Sequence, residues 1–328
     1  MPSLLPVPWF ARGHLLRRSR QIAAVLARQG LGWLMAQIGL ADRLPTLPGP
    51  RLLRRTEPET APRRSQAERF RLALSELGAT FIKLGQALST RPDLMPPEYI
   101  AELVKLQDDA PPVPLEPVRQ LICEELGQTP EELFAEFDPQ PIASASIGQA
   151  HAATLKNGRK VIVKVQRPGV IEQIEQDLEI LSGMADWAAA HSALGREYDL
   201  PALVDEFAYT LRNELDYHRE GHNADRFRRN FRGDSGLYVP RVYWELTTSR
   251  VITIERVSGI KISDIAGLDV SMIDRHRVAE NSIRLLLRQV FEFGFFHADP
   301  HAGNCFVRPD GSVAMIDFGM VGRLDERM

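Results

Sequence analysis

Between Ile142 and Gln166 the chain reads as two strands, Ile142 to Leu155 and Lys160 to Gln166, joined by Lys156-Asn157-Gly158-Arg159. An Asn-Gly pair between apolar runs is the strongest short-range signal for an antiparallel hairpin, because the tight turn needs positive φ at its two central residues. A sheet must therefore begin in this part of the chain. Arg167-Pro168-Gly169 stops its second strand, since proline cannot donate to a ladder.

The sequence before Pro141 has a helical period instead. Gln21 to Leu40 is amphipathic, with Ile22, Val25, Leu26, Trp33 and Leu40 as its apolar members and Gly30 and Gly32 in its middle. Pro45 to Arg64 is broken by prolines and reads as a linker. From Ser65 to Thr90, Phe70, Leu74, Leu77, Phe81, Leu84 and Leu88 fall on one helical stripe, and Lys83 and Gln86 project away from it. Further helices are expected from Pro97 to Gln107 and from Leu115 to Phe137. After the hairpin come helices over Val170 to Ala190 and Leu200 to Phe231, strands over Tyr238 to Trp244 and Arg250 to Arg256, and a long helix over Asp274 to Phe293. A short hairpin then turns at Pro309-Asp310-Gly311.

Composition narrows the class. The 328 residues are 44% hydrophobic and 25% charged, an ordinary globular balance with enough chain for more than one core. A net charge of −3 argues against a nucleic-acid binder. Charge is uneven, however: Arg12, Arg17, Arg18, Arg20, Arg28, Arg43, Arg51, Arg54 and Arg55 face a lone Asp42. Such a leader suits either an anionic membrane surface or a solvated helix face followed by a linker. Being Arg-rich and acid-poor, it also fits a mitochondrial address. Cys123 and Cys305 have no metal-type spacing, which points to a reducing compartment. No stretch reaches the roughly 18 uncharged apolar residues of a membrane span.

The segment His297-Ala298-Asp299-Pro300-His301-Ala302-Gly303-Asn304, followed by a hairpin and Asp317-Phe318-Gly319, carries the most chemistry. In kinases an Asp and an Asn five residues later share one loop, the Asp orienting the attacking hydroxyl and the Asn holding magnesium, while a second Asp before Phe-Gly holds metal against the nucleotide phosphates. Asp299, Asn304 and Asp317 have that order. Phosphoryl transfer needs little covalent help but needs metal and oxygen atoms fixed in line. A metal cluster of His297, Asp299 and His301 is the competing use, although it leaves Asn304 and Asp317 without a role. Lys164, inside the apolar run Val161 to Val165, is placed to reach the α- and β-phosphates, or else is an edge lysine reaching solvent. Ala143-Ser144-Ala145-Ser146 is a small-residue turn that would let backbone approach a ligand. Gly85 sits mid-helix at a cost of about 1 kcal/mol relative to Ala, which hints at close packing. Glu214 falls near the face of Leu203 and Phe207 on its helix, and a carboxylate there needs a cation, a metal or a proton unless the helix breaks first.

Taken together, these segments resemble the AarF/UbiB group of atypical kinase-like proteins. Phe81 to Asp93 looks like that family's amino-terminal extension motif. Pro141 to His151 is similar to its alanine-rich loop, Asn213 to Tyr217 to its Glu-x-Asp motif, and His297 to Asn304 to its catalytic loop. Ala79 and Ala302 depart from the usual prolines. The resemblance implies an α+β, protein-kinase-like two-lobe fold with a helical extension. Its expected parts are a leader and linker (1–64), the extension (65–140), a sheet-bearing lobe with inserted helices (141–256) and the start of a second lobe (257–328). It further implies ATP and magnesium as cofactors, with Asp299, Lys164 and Lys83 catalytic and Asn304 and Asp317 on metal. Nucleotide contacts would come from Ala143, Ser144, Ala145, Ser146, Gln86, Glu214 and Asp216. Glu220 resembles the helix glutamate that holds Lys164, and is otherwise a solvated carboxylate.

By the same resemblance the partners would be a membrane lipid or isoprenoid quinone precursor and quinone-biosynthesis enzymes. The place would be the cytoplasmic face of an inner membrane, with an anchor in a longer form. Only Met320 to Met328 follow Gly319, so the second lobe is expected to be cut short, or the chain to be a fragment. A phosphoryl-transfer enzyme or ATPase, a nucleotide-sensing scaffold and a small-molecule phosphotransferase are the three functions this pattern permits.

Overall fold

The computed structural model describes residues 13–38, 64–106, 110–192 and 194–324. The chain forms two compact units. One comprises Met1–Ala110, Ala145–Ile147 and Gly169–Arg212, and the other Pro111–Ser144, Gly148–Pro168 and Asn213–Met328. Arg12, Arg43, Arg51, Arg54 and Arg55 of the basic leader, and all of the linker but Arg64, lie outside the described residues.

The first unit is helical. It contains α1 (Gly13–Arg28), α2 (Gly32–Gln37), α3 (Gln66–Leu77), α4 (Ala79–Ser89), α5 (Pro97–Leu103), α8 (Val170–His191), α9 (Leu194–Glu197) and most of α10 (Leu200–Glu214). The stripe expected between Phe70 and Leu88 packs with Ile22, Val25, Leu26, Ile180, Leu181 and Met184 in one core. Of the apolar members of the leader helix, Ile22, Val25 and Leu26 are thus buried inside the protein, whereas Trp33 is 44% exposed and Leu40 lies outside the described residues. Two expected helices are each divided. Gly30 (φ 73°) separates α1 from α2, and Gly78 (φ 93°) separates α3 from α4, a conformation that side chains other than glycine's resist. A Cβ on Gly85 would lie 2.3 Å from Leu106 Cδ1 and 2.8 Å from Leu74 Cδ1, which explains a glycine in mid-helix.

The second unit holds both sheets that matter here. In chain order its remaining elements are α6 (Leu115–Leu126), α7 (Pro130–Leu133), β1 (Phe134–Ser144), β2 (Gly148–Leu155), β3 (Lys160–Gln166), α11 (Tyr217–Asn230), β4 (Leu237–Tyr238), β5 (Val251–Glu255) and β6 (Ile260–Lys261). Then follow α12 (Ile265–Val270), α13 (Arg275–Leu287), β7 (Phe295–His297), β8 (Cys305–Val307), β9 (Val313–Met315) and β10 (Val321–Arg323). The Asn-Gly hairpin is β2–β3, inside an antiparallel sheet of order β1-β2-β3-β5. Val161, Val163 and Val165 point into a core with Val118, Leu121, Ile122 and Phe134. A second sheet, β4-β9-β8-β6, carries the Pro309-Asp310-Gly311 hairpin, and β10 pairs with β7.

Several expected bounds give way to turn chemistry. The helix expected over Leu115 to Phe137 stops at Leu126, capped by left-handed Gly127, and Phe134 already opens β1 as its edge strand, where Pro139 and Pro141 are tolerated beside register shifts. The helix expected over Leu200 to Phe231 breaks after Glu214, because Asp216 is in extended backbone and caps α11 through the His218 N–H (3.0 Å). The strand expected over Tyr238 to Trp244 shrinks to β4, with a 3-10 turn at Trp244–Leu246. The long helix expected to Phe293 ends at Leu287 and widens into a π-turn over Arg288–Glu292.

Candidate functional site

Lys164 lies at the centre of β3, opposite Ala150 on one side and Ile252 on the other. Its side chain is 17% exposed, so it is not a solvent-reaching edge lysine. Its Nζ donates to Glu220 Oε1 at 2.5 Å and to Asp317 Oδ2 at 3.4 Å. Burial opposes the Lys164 charge, but Asp317 and Glu220 outweigh it and hold the ammonium above its ordinary pKa. Burial pushes the Glu220 carboxyl up to about 7, against the pull of Lys164. Tyr217, also buried, is raised first by burial and then by Glu220, with Glu214 and Asp317 adding to it. Four charged groups therefore surround one phenol. Gly148 makes room for it, since a Cβ there would lie 2.5 Å from the Tyr217 hydroxyl.

The loop after β7 is fixed by His297, which is 2% exposed. Its backbone N–H donates to Gln289 Oε1 (2.9 Å). The Asp299 N–H donates to His297 Nδ1 (3.1 Å), which leaves the ring proton on Nε2 for donation to the Asp317 carbonyl (2.5 Å). Both ring nitrogens are thus occupied, and His301 Nδ1 accepts from the Gly303 N–H. The His297, Asp299, His301 metal cluster is not formed, and among the described residues no group of at least three His, Cys, Asp or Glu is arranged to hold a metal ion.

Asn304 precedes β8 and Asp317 follows β9. The Ile316 N–H donates to the Asn304 carbonyl (3.1 Å), so the hairpin returns the second Asp beside the Asn. Asp317 Oδ1 accepts from the Gly319 N–H (2.9 Å), and its side chain is 41% exposed. Phe318 is buried against Phe227 (centroids 5.1 Å) and His297 (5.8 Å), and its carbonyl accepts from Asn223 Nδ2 (2.9 Å). Asp299 is exposed, and after burial its charge is the cause that pushes the Cys305 thiol up.

The structure thus gathers Lys164, Glu220 and Asp317, places Asn304 and Asp299 on the same loop system, and sets Glu214 within electrostatic reach of Tyr217. Asp216 has a helix-capping role of its own. Ala143 and Ser144 end β1, where Ser144 Oγ accepts from Arg167 (2.9 Å), and Ala145 and Ser146 form the turn into β2. Lys83 and Gln86 are half-buried on α4, with Gln86 Nε2 donating to the Leu106 carbonyl (3.3 Å). Sequence reading missed Asn223, Tyr217 and Gln289. Asn223 had a signal, its spacing of three from Glu220 on one helix. The donor set of one half-exposed carboxylate, an amide and an exposed carboxylate fits magnesium, which is commonly held by one or two carboxylates with phosphates completing the shell.

The ABC1 atypical kinase-like domain matches residues 105–328. An uncharacterised protein of Synechocystis sp. is 46% identical over 263 residues, 80% of this chain and 45% of that protein. A probable protein kinase UbiB of Cellvibrio japonicus is 39% identical over 312 residues, 94% of this chain and 55% of that protein. The chain therefore spans about half the length of these curated relatives. Among solved structures, the Mycobacterium tuberculosis protein Rv3197, in complex with erythromycin, superposes with a TM-score of 0.56 at 32% identity, over 76% of this chain and 63% of that one.

Proposed function

This chain belongs to the ABC1 atypical kinase-like family, and from that premise we propose that it binds ATP with magnesium and acts as a kinase-like phosphotransferase or ATPase. The observation that carries the reading is the buried Lys164 ammonium held between Glu220 and Asp317. Glu220 fixes the direction of the ammonium, which would reach nucleotide phosphate oxygens as a preorganised charge. Asp317 and Asn304 would hold magnesium, which supplies charge neutralisation on those oxygens when bound. Asp299, exposed and backbone-anchored by His297, would orient the attacking hydroxyl or water and take its proton. Lys83, Gln86, Glu214 and Asp216, with the turn from Ala143 to Ser146, are proposed as further nucleotide contacts. A membrane lipid or isoprenoid quinone precursor is the proposed acceptor, at the inner face of a membrane and alongside quinone-biosynthesis enzymes.

Calorimetry with magnesium and ATP, paired with phosphate release, tests the reading. Asp317→Asn should weaken nucleotide affinity by roughly tenfold or more, by analogy with lost metal-site interactions. Asp299→Ala should leave affinity within about threefold and lower turnover by roughly 100-fold or more. Nucleotide binding with no turnover in either form would fit a nucleotide-sensing scaffold instead. Unchanged affinity in Asp317→Asn would overturn the assignment.

A further inference from the structure

Beyond the Lys164 cluster, α11 and β10 bring together arginines that have no counter-charge among the described residues. The Arg226 guanidinium lies 4.1 Å from the centroid of the buried Phe295 ring, and that of Arg323 lies 5.7 Å from the same centroid. Arg323 and Phe295 are register partners across β10 and β7, so their side chains share one face of that ribbon. Arg229 is three residues from Arg226 on α11, a neighbouring position on the helix surface, and is exposed. Three described carboxylates of this region are engaged elsewhere. Asp225 takes Arg228 and the Trp244 N–H, Glu292 takes Arg288, and Asp234 takes Arg284 and Arg288. Among the described residues no hydrogen bond or ion pair reaches the side chains of Arg226, Arg229 or Arg323. Burial, then Arg323, then Arg229 lower the Arg226 pKa, as expected for like charges held close.

Like charges assembled on an aromatic platform are costly unless an anion joins them. Guanidinium groups are suited to phosphate, because their forked donors meet its oxygens in pairs. We propose that Arg226, Arg229 and Arg323 form a binding site for a phosphate dianion, free or on a lipid headgroup, that is separate from the Lys164 cluster. Six helical steps, about 9 Å, separate Glu220 from Arg226. A phosphate here would fasten α11, which carries Glu220 and Asn223, to the strand that follows Asp317-Phe318-Gly319. The proposal does not depend on nucleotide binding, because its readout is phosphate itself.

The full chain is titrated with inorganic phosphate against sodium chloride of equal ionic strength, and Tm is followed. A saturable rise is expected in the parent chain and in Lys164→Ala alike. Arg229→Gln removes an exposed side chain without disturbing packing, and should weaken the phosphate response roughly tenfold, the value of one charge-assisted hydrogen bond. Arg226→Gln with Arg323→Gln should abolish it, and Lys at both positions should restore part of it. Co-sedimentation with vesicles containing phosphatidic acid separates the sources. Binding that is lost in Arg229→Gln assigns a lipid headgroup, and a phosphate response without vesicle binding assigns the free ion. No response in the parent, a parent-like response in Arg229→Gln, or a response that disappears in Lys164→Ala would each overturn the site.

Discussion

Asp234 accepts from Arg284 at 2.6 Å and 2.9 Å and from Arg288 at 2.5 Å, and its own side chain is only 8% exposed. Arg284 first, with Arg288 and the Gly236 N–H behind it, holds the carboxyl down at about 2. The unfolded chain would titrate it near 3.9, so the native form binds fewer protons between these values. The stability it contributes is complete above about pH 4 and is lost as pH falls through 2. Because both arginines are partly exposed, we expect that contribution to be roughly 1–2 kcal/mol after screening. Asp234→Asn should lose this amount at pH 7 and should flatten the acid limb of stability against pH, measured by urea unfolding. Gly148 is constrained as tightly by contact. A Cβ would meet both the Tyr217 hydroxyl at 2.5 Å and the Val165 carbonyl at 2.8 Å. Gly148→Ala should cost about 1–3 kcal/mol, and Tyr217→Phe should recover only part, since the carbonyl remains.

At the scale of elements, α11 organises the site. It presents Glu220 to Lys164, Asn223 to the Phe318 carbonyl and Phe227 to Phe318, so one rigid helix positions three parts of the loop system. Its start depends on Asp216, which the sequence suggested as a ligand contact and which the structure uses as a cap. The two roles are separable, because Asn caps a helix about as well as Asp and carries no charge. Asp216→Ala should lose about 1 kcal/mol of stability. Asp216→Asn should keep it, and any fall in nucleotide affinity in that variant then reports the ligand role alone. The same helix shows where sequence reading ran out. Period gave a continuous helix from Leu200 to Phe231, and only the local preference of Asp216 for extended backbone divides it. Of the β2–β3 hairpin, by contrast, the turn at Asn157-Gly158 and the strand Lys160 to Gln166 were legible, whereas the strand expected from Ile142 to Leu155 is divided, β1 ending at Ser144 and β2 starting only at Gly148. The return of Asp317 beside Asn304 was legible for a similar reason, since the hairpin turning at Pro309-Asp310-Gly311 joins the two. The bonds from His297 to the Asp317 carbonyl and from Asn223 to the Phe318 carbonyl left no pattern of their own, because they join segments distant in sequence.

The molecule as a whole adds the helical unit, whose core is drawn from stretches on both sides of the β2–β3 hairpin. Its apolar stripe was readable from helical spacing. The fate of the basic leader was not, because Arg18 is charged and yet 8% exposed. Arg18 Nε and Nη2 donate to Asp177 Oδ1 and Oδ2 at 2.7 Å and 2.9 Å, and Thr80 Oγ1 donates to Asp177 at 2.7 Å. This pair joins α1 to α8 across 159 residues of sequence, and Arg18 also donates to the Leu77 carbonyl at 2.7 Å. Such a pair differs from an apolar contact in how it fails. Removing one partner strands a buried charge, and Asp177→Ala should cost about 3–5 kcal/mol in denaturant unfolding. Replacing both charges, as in Arg18→Met with Asp177→Leu, removes the desolvation penalty along with the attraction. Thr80 and the Leu77 carbonyl would then lack partners, at about 1 kcal/mol each. The double variant should therefore be more stable than Asp177→Ala alone. A double variant as unstable as the single would mean that the pair holds the helices by geometry that apolar side chains cannot reproduce.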